Sequence, residues 1–300
     1  MPELPEVETI RRGLESFIKN AKIKTVEIFC DKSFLGPKEL VENQKIINLR
    51  RKGKALLIDL ENGITLLIHL RMTGQLIFRG KNVKTLDLIE SGHLKQSDSF
   101  AGGHPSENFV DNLPNKQTRV AFTLENGKLF FNDQRKFGFI KVLETTEVEN
   151  DPFIKKLAPE PWDMNVVNFT TNLMRHKSQP IKATILDQKV IAGIGNIYAD
   201  EALFYAKIHP KRQTGSLTDT EIEKLLEGAK TVMQSSIDSG GSTMQTYVKA
   251  DGTKGDYLRL FAKVFRREGE PCVNCGTEII KIRVAGRGTH ICPKCQKEKN

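Results

Sequence analysis

An α+β fold follows from three observations: Asn-Gly turns between β-rich runs in the first half, a capped amphipathic helix in the second, and four cysteines spaced C-x2-C-x16-C-x2-C at the end. The predicted architecture is an N-terminal antiparallel β-sandwich with flanking helices, then a helical domain, then a metal-stapled β-hairpin. Boundaries are expected at 1–149, 150–260 and 261–300. A chain of 300 residues with 38% hydrophobic content can fill two cores and carry a small appended module.

Residues 5–19 read as the leading helix. Val7, Ile10, Leu14, Phe17 and Ile18 fall near helical spacing, and Pro5 suits a first turn. Two hairpins follow. Ala55–Leu60 and Ile64–Leu70 flank Glu61-Asn62-Gly63, while Arg119–Leu124 and Lys128–Phe131 flank Glu125-Asn126-Gly127. Between them, residues 80–117 are rich in Ser, Gly, Asn and Asp around Ser91–Asn112, and the expectation is a disordered insertion. Asp151–Trp162, with three prolines, reads as a linker.

The clearest helix of the second half starts at Thr218. Thr218 and Glu221 make a capping box, and Leu217 with Ile222 a hydrophobic staple. Ile222, Leu225, Leu226, Ala229, Val232, Met233 and Ile237 form its apolar stripe, and Gly240-Gly241 ends it. The closing cysteines, Cys272, Cys275, Cys292 and Cys295, have the spacing of a four-thiolate zinc site. Four thiolates leave no open coordination position, so the expected ion is one structural zinc. Cys30 stands apart and reads as a buried apolar thiol.

Charge narrows the partner. Against 37 Asp and Glu stand 46 Lys and Arg, a formal net charge of +9. From Lys249 onward there are 12 basic residues against 6 acidic, so most of the excess sits in the last sixth. Such a surface favours a polyanion, with nucleic acid ahead of membrane. No apolar run approaches the about 18 residues of a membrane span. The opening Met-Pro-Glu-Leu-Pro-Glu is no signal peptide, and a soluble cytoplasmic protein is expected.

Three stretches carry a family resemblance. Residues 1–9, Met-Pro-Glu-Leu-Pro-Glu-Val-Glu-Thr, resemble the opening of formamidopyrimidine-DNA glycosylases, as does Asp187–Glu201, DQKVIAGIGNIYADE. The four-cysteine module is the third match. The resemblance implies a bifunctional DNA glycosylase/AP lyase of base excision repair. Such an enzyme removes oxidised purines, 8-oxoguanine and formamidopyrimidines, through a Schiff base on the N-terminal proline, followed by β,δ-elimination. It also implies a helix-two-turns-helix element in the helical domain, and a monomer acting on double-stranded DNA with oxidised bases or abasic sites.

The chemistry is readable at several positions. Once Met1 is removed, Pro2 is a secondary amine able to attack a sugar C1′ and form an iminium electron sink. Glu3 could protonate the deoxyribose ring oxygen, with Glu6 near enough to orient it. A helix dipole alone would also favour acids here. The resemblance puts Lys54 beside the proline and on the damaged nucleotide's phosphate. An enzyme of this class must flip a base and fill the hole with apolar wedges and arginine. By resemblance Met72, Arg135 and Phe137 do this, Arg135 pairing with the orphaned cytosine; without the resemblance Met72 and Phe137 read more readily as ordinary core. Asn196 is implied on the DNA backbone beside Lys177 or Arg175, and Arg287 on a phosphate near the lesion. The Gly240–Tyr247 loop, with Ser242, Met244, Gln245, Thr246 and Tyr247, is implied to close over the flipped purine through its backbone amides.

Two departures stand out. Phe265-Arg266-Arg267 replaces the family's usual Tyr-Gly-Arg, adding charge at no expected cost, and Gln117 replaces a frequent His. Two other readings stay open. Endonuclease VIII-like enzymes share the proline and zinc module but prefer oxidised pyrimidines. A non-catalytic zinc-ribbon protein binding DNA or RNA fits the charge and cysteines, and needs neither a free Pro2 nor Lys54. Leu4, the Gly240–Tyr247 loop and Arg135–Phe137 favour the purine branch.

Overall fold

A computed structural model describes residues 1–81, 99–103, 113–240 and 262–298. The described chain divides near Lys155 into two compact units; the C-terminal module belongs with the helices in the second.

The first unit opens with α1 (Leu4–Ile18), whose Val7, Ile10, Leu14 and Ile18 enter the core. Its strands are β1 (Ile23–Ile28), β2 (Phe34–Leu35), β3 (Ile46–Lys52), β4 (Ala55–Leu60), β5 (Ile64–His69), β6 (Gly74–Gly80), β7 (Ser99–Gly103), β8 (Thr118–Leu124), β9 (Gly127–Asp133) and β10 (Phe139–Glu144). They form two five-stranded sheets, β1-β8-β9-β6-β7 and β2-β10-β5-β4-β3. All pairings are antiparallel except β2 with β10. Alternate residues of β4 and β5 (Leu56, Ile58, Leu60, Leu66, Ile68) meet those of β6, β8 and β9 (Leu76, Phe78, Phe122, Leu129, Phe131) in one apolar core. Period-two alternation thus supplies the two inner faces of a sandwich. At the β4–β5 connection Gly63 takes φ +78°, the left-handed residue that lets a three-residue loop close a hairpin. Cys30 is half-buried after β1, not the buried thiol that composition suggested.

The expected disordered insertion over 80–117 is corrected at its centre. Ser99–Gly103 is a strand, paired antiparallel to β6 from Gln75↔Gly103 to Arg79↔Ser99. Phe100 is buried, its ring centroid 6.4 Å from Phe17 of α1. The glycines that suggested disorder are packing residues. A Cβ on Gly103, at φ +121°, would sit 2.4 Å from the Gly74 carbonyl oxygen, and one on Gly102 would sit 2.6 Å from Ile10. Deleting Ser91–Asn112 is therefore expected to lower the melting temperature of this unit by several degrees, since Phe100 alone buries ~2 kcal/mol of apolar surface. A deletion that melts with the wild type would show β7 to be dispensable.

The second unit contains α2 (Val166–Met174), α3 (Ile181–Ile185), α4 (Asn196–Tyr205), α5 (Asp219–Asp238), β11 (Ile280–Val284) and β12 (Arg287–Ile291). Helix α5 has the expected cap: the Glu221 amide donates to Thr218 Oγ1 at 3.3 Å, and the Thr218 amide to Glu221 Oε2 at 3.0 Å. Gly240, at φ +85°, follows its C-cap. In β11–β12, Ala285 and Gly286 both take positive φ, the two-residue turn that matches strand twist. Glu201 of α4 ties this module down. Its carboxylate accepts the amides of Lys263 at 2.9 Å, Val264 at 3.0 Å and Phe265 at 2.8 Å. Among the described residues no helix is long and apolar enough to cross a membrane.

Candidate active site

Helix α1 begins at the candidate catalytic residues. Pro2 is buried, and Glu3 and Glu6 are each 3% exposed. Glu3 is the N-cap, and its amide donates to Glu6 Oε2 at 2.8 Å, closing a capping box that fixes both carboxylates. Lys54, 6% exposed, occupies the two-residue Gly53-Lys54 turn joining β3 to β4, where Gly53 takes φ +55°. Arg51 bridges the two places. Its Nε donates to Glu8 Oε2 of α1 at 3.2 Å and its Nη1 to the Gly53 carbonyl at 3.0 Å. Burial pushes the Glu8 carboxyl up, but hydrogen bonds and charges from Arg11, Arg12 and Arg51 outweigh it and hold the group below its ordinary value.

The sequence reading assigned His69 no role, yet it lies across the β4–β5 pair from Ala55, next to Lys54. Burial first, then the charges of Arg71 and Lys54, lower its pKa to about 3, so the ring is neutral. Its Nδ1 accepts the Arg71 amide at 3.0 Å, which leaves the proton on Nε2 as a donor. No pattern marks such a residue, because a buried imidazole at a strand end has no periodicity of its own.

The wedge candidates sit on two turns. Met72 is 41% and Phe137 55% exposed, so neither belongs to the core. The Arg135 guanidinium lies over the Phe137 ring, 4.8 Å from its centroid. Arg71 at φ +52° and Lys136 at φ +57° put a left-handed, non-glycine residue in each turn. Backbone strain of that kind concentrates at functional sites.

In the second unit Asn196 and the Arg287 turn come together. Asn196 Nδ2 donates to the Gly288 carbonyl at 3.1 Å. The same carbonyl takes a 3.1 Å hydrogen bond from Lys182 Nζ, which also reaches Thr289 Oγ1 at 2.8 Å. Lys182 is fully buried and pairs with Asp200 Oδ1 at 2.6 Å. Removing either partner would strand a charge with no water, so the pair holds α3, α4 and β12 in one arrangement. Nothing in the sequence around Lys182 distinguishes it from a solvated lysine. Arg287 itself is exposed, as is Lys177 in the α2–α3 loop, whose carbonyl takes the Gly215 amide at 2.8 Å. A cleft of about 300 Å³ beside Asn196 and Gly288 is lined by Arg266, Lys281, Glu268 and His290. Arg266 takes φ +59°, so a side chain where the family has glycine costs roughly 1 kcal/mol of strain, contrary to expectation. The Gly240–Tyr247 loop side chains Ser242, Met244, Gln245, Thr246 and Tyr247 lie outside the described residues.

The four cysteines meet. Their sulfurs lie within 4.8 Å of one another, with Cys275–Cys292 and Cys275–Cys295 at 3.5 Å and Cys272–Cys295 at 3.9 Å. A tetrahedral ion with bonds of about 2.3 Å puts sulfurs about 3.8 Å apart, whereas a disulfide needs about 2.0 Å. The set fits a structural zinc.

Comparison with known proteins agrees across the chain. The formamidopyrimidine-DNA glycosylase N-terminal domain matches residues 1–140, the H2TH domain of the same enzymes 157–248, and the zinc finger found in FPG and IleRS 269–297. Formamidopyrimidine-DNA glycosylase of Pelotomaculum thermopropionicum is 38% identical over 306 residues, covering all of both chains. That of Listeria innocua is 39% identical, covering 99% of this chain and 100% of its own. Among solved structures, a complex between Lactococcus lactis Fpg and an abasic-site DNA is 33% identical with a TM-score of 0.81, covering 99% of this chain and 100% of its own. The MutM (FPG) protein of Thermus thermophilus is 35% identical with a TM-score of 0.80 over 100% of both. By its sequence, from end to end, and by its fold, the chain belongs to the formamidopyrimidine-DNA glycosylase family.

Proposed function

We propose that the protein is a bifunctional DNA glycosylase/AP lyase of base excision repair, excising oxidised purines from double-stranded DNA as a cytoplasmic monomer. The observation that carries this reading is Pro2-Glu3 at the buried, capped start of α1, tied through Arg51 to the turn that presents Lys54. Within this chain the Pro2 nitrogen is an amide. Release of Met1 makes it a secondary amine.

Its lone pair attacks C1′, the C1′–base bond breaks, and the proton shed by the proline nitrogen neutralises the departing base. Glu3 gives its proton to the ring oxygen, the ring opens, and C1′ becomes an iminium. Loss of the C2′ proton expels the 3′ phosphate, and a second elimination expels the 5′ phosphate. Lys54 supplies a donor for the phosphate beside the lesion. Zinc, when bound, does no chemistry; it staples the β11–β12 turn that carries Arg287.

The test is borohydride reduction with an 8-oxoguanine:cytosine duplex, which should trap protein covalently on DNA. A protein that binds the duplex but neither traps nor cleaves is a zinc-ribbon binder instead. Cleavage confined to oxidised pyrimidines would assign it to the endonuclease VIII-like branch.

The phosphate grip gives a separate expectation. Arg287→Ala should weaken binding to every sequence alike and flatten the log–log salt dependence by roughly one unit. Asn196→Ala should weaken binding in the same sequence-blind way. An unchanged slope in a filter-binding titration removes Arg287 from the phosphate contacts.

A further inference from the structure

Both wedge turns converge on one carboxylate. Asp133, the last residue of β9, is 0% exposed. Its Oδ2 accepts the Gly138 amide at 2.7 Å, and its Oδ1 accepts the Arg135 amide at 3.1 Å. Oδ1 also accepts the hydroxyl of Thr73, on the other turn, directly after Met72. The Arg135 amide leans on Thr73 as well, at 3.1 Å from Oγ1. One buried group therefore closes the Gln134–Gly138 turn upon itself and fastens it to the Met72 turn.

These bonds do not serve the sheet. The Asp133 backbone is satisfied without them: its amide donates to the Gln117 carbonyl at 2.9 Å. The Asp133 carbonyl takes Arg119 Nε at 2.7 Å. The carboxylate is left to the turns alone. Space around it is tight: a Cβ on Gly138 would lie 3.2 Å from Asp133 Oδ2, 3.1 Å from the His69 carbonyl and 2.7 Å from the Phe131 ring.

We propose that Asp133 is a positioning residue which, through Thr73, locks the turns bearing Met72 and Arg135–Phe137 into a single preassembled wedge. The proposal rests on the reading that these side chains enter the base stack. A wedge must keep its shape against stacked bases, and ordering two independent exposed turns at the moment of insertion would cost about 0.5–1.5 kcal/mol per immobilised side chain. Fastening them during folding removes that cost from the extrusion step. A carboxylate suits the task because its two oxygens accept several donors at once.

Thr73→Val tests this. It removes the hydroxyl between the turns while keeping Asp133 and its bonds to Arg135 and Gly138. Excision of 8-oxoguanine opposite cytosine in duplex DNA should fall about tenfold, the loss expected for one charge-assisted hydrogen bond. The preference for cytosine over adenine opposite the lesion should shrink with it. Strand cleavage at a preformed abasic site in single-stranded DNA needs no extrusion, and should stay within about twofold. Thr73→Ser should restore both duplex values. Asp133→Asn should show the same split, more strongly. The proposal is overturned if Thr73→Val keeps wild-type excision and base preference, or if it loses both substrates equally, which marks general damage. A wild-type protein inactive on either substrate would instead refute the glycosylase/lyase reading beneath it.

Discussion

Glu3→Gln is expected to bind a lesion duplex with near wild-type affinity and to excise 8-oxoguanine at least about a hundredfold more slowly, the usual worth of a placed general acid. The substitution is conservative where folding is concerned. An amide oxygen can still accept at the helix start, the Glu3 amide keeps its bond to Glu6 Oε2, and the buried face of α1 is untouched. On the proposed mechanism, what is lost is the proton for the sugar ring oxygen. The matching experiment on Pro2 has three parts. N-terminal sequencing of active protein should begin at proline, because retained Met1 leaves an amide whose lone pair is delocalised. Borohydride should trap the wild type on lesion DNA, and Pro2→Gly should lose or greatly weaken the adduct. If Pro2→Ala, with Met1 shown to be absent, traps and cleaves like the wild type, the nucleophile lies elsewhere and Lys54 is the next candidate.

Metal removal is the second large effect. Zinc binding to a four-thiolate site contributes about 10–16 kcal/mol at neutral pH. The small cluster around it, Phe204, Val264, Cys272, Ile279 and Cys292, includes two of the ligands themselves. Chelation should therefore unfold β11–β12, release the Arg287 turn and abolish DNA binding, while the sandwich unit keeps its own thermal transition. Cys292→Ser should do the same without chelator, since Cys292 is 0% exposed and a serine leaves an open coordination position. Wild-type DNA affinity in Cys292→Ser would sink the structural-zinc assignment.

Elements with a local signal were legible in the sequence. The capping box at Thr218 and Glu221, the Asn-Gly hairpin at Gly63 and the cysteine spacing each encode a geometry within a few residues, and each is present. Strand β7 was not legible. Ser-Phe-Ala-Gly-Gly has linker composition, and its glycines are explained only by Ile10, Gly74 and Gln75, far away in sequence. The wedge candidates were found through family motifs, but the carboxylate beneath them was not. Asp133 precedes a turn, where an aspartate ordinarily caps its own backbone, and its link to Thr73 spans 60 residues. Lys182 and His69 escaped for a related reason: a charged or titratable side chain is assumed solvated until its partners are known, and those partners lie on other elements.

The Glu201 latch bears on how the metal centre is assembled. It captures the backbone at Lys263–Phe265, seven residues before the first ligand, while Gln296, directly after the last, donates to the Ile208 carbonyl at 3.0 Å. Neither contact involves a sulfur. Both ends of the module are thus moored to α4 and the residues after it, and a metal-stripped chain keeps its two knuckles at high effective concentration. Reloading then becomes closure of a short tethered loop, with a small entropic cost, and not a search by a free chain end.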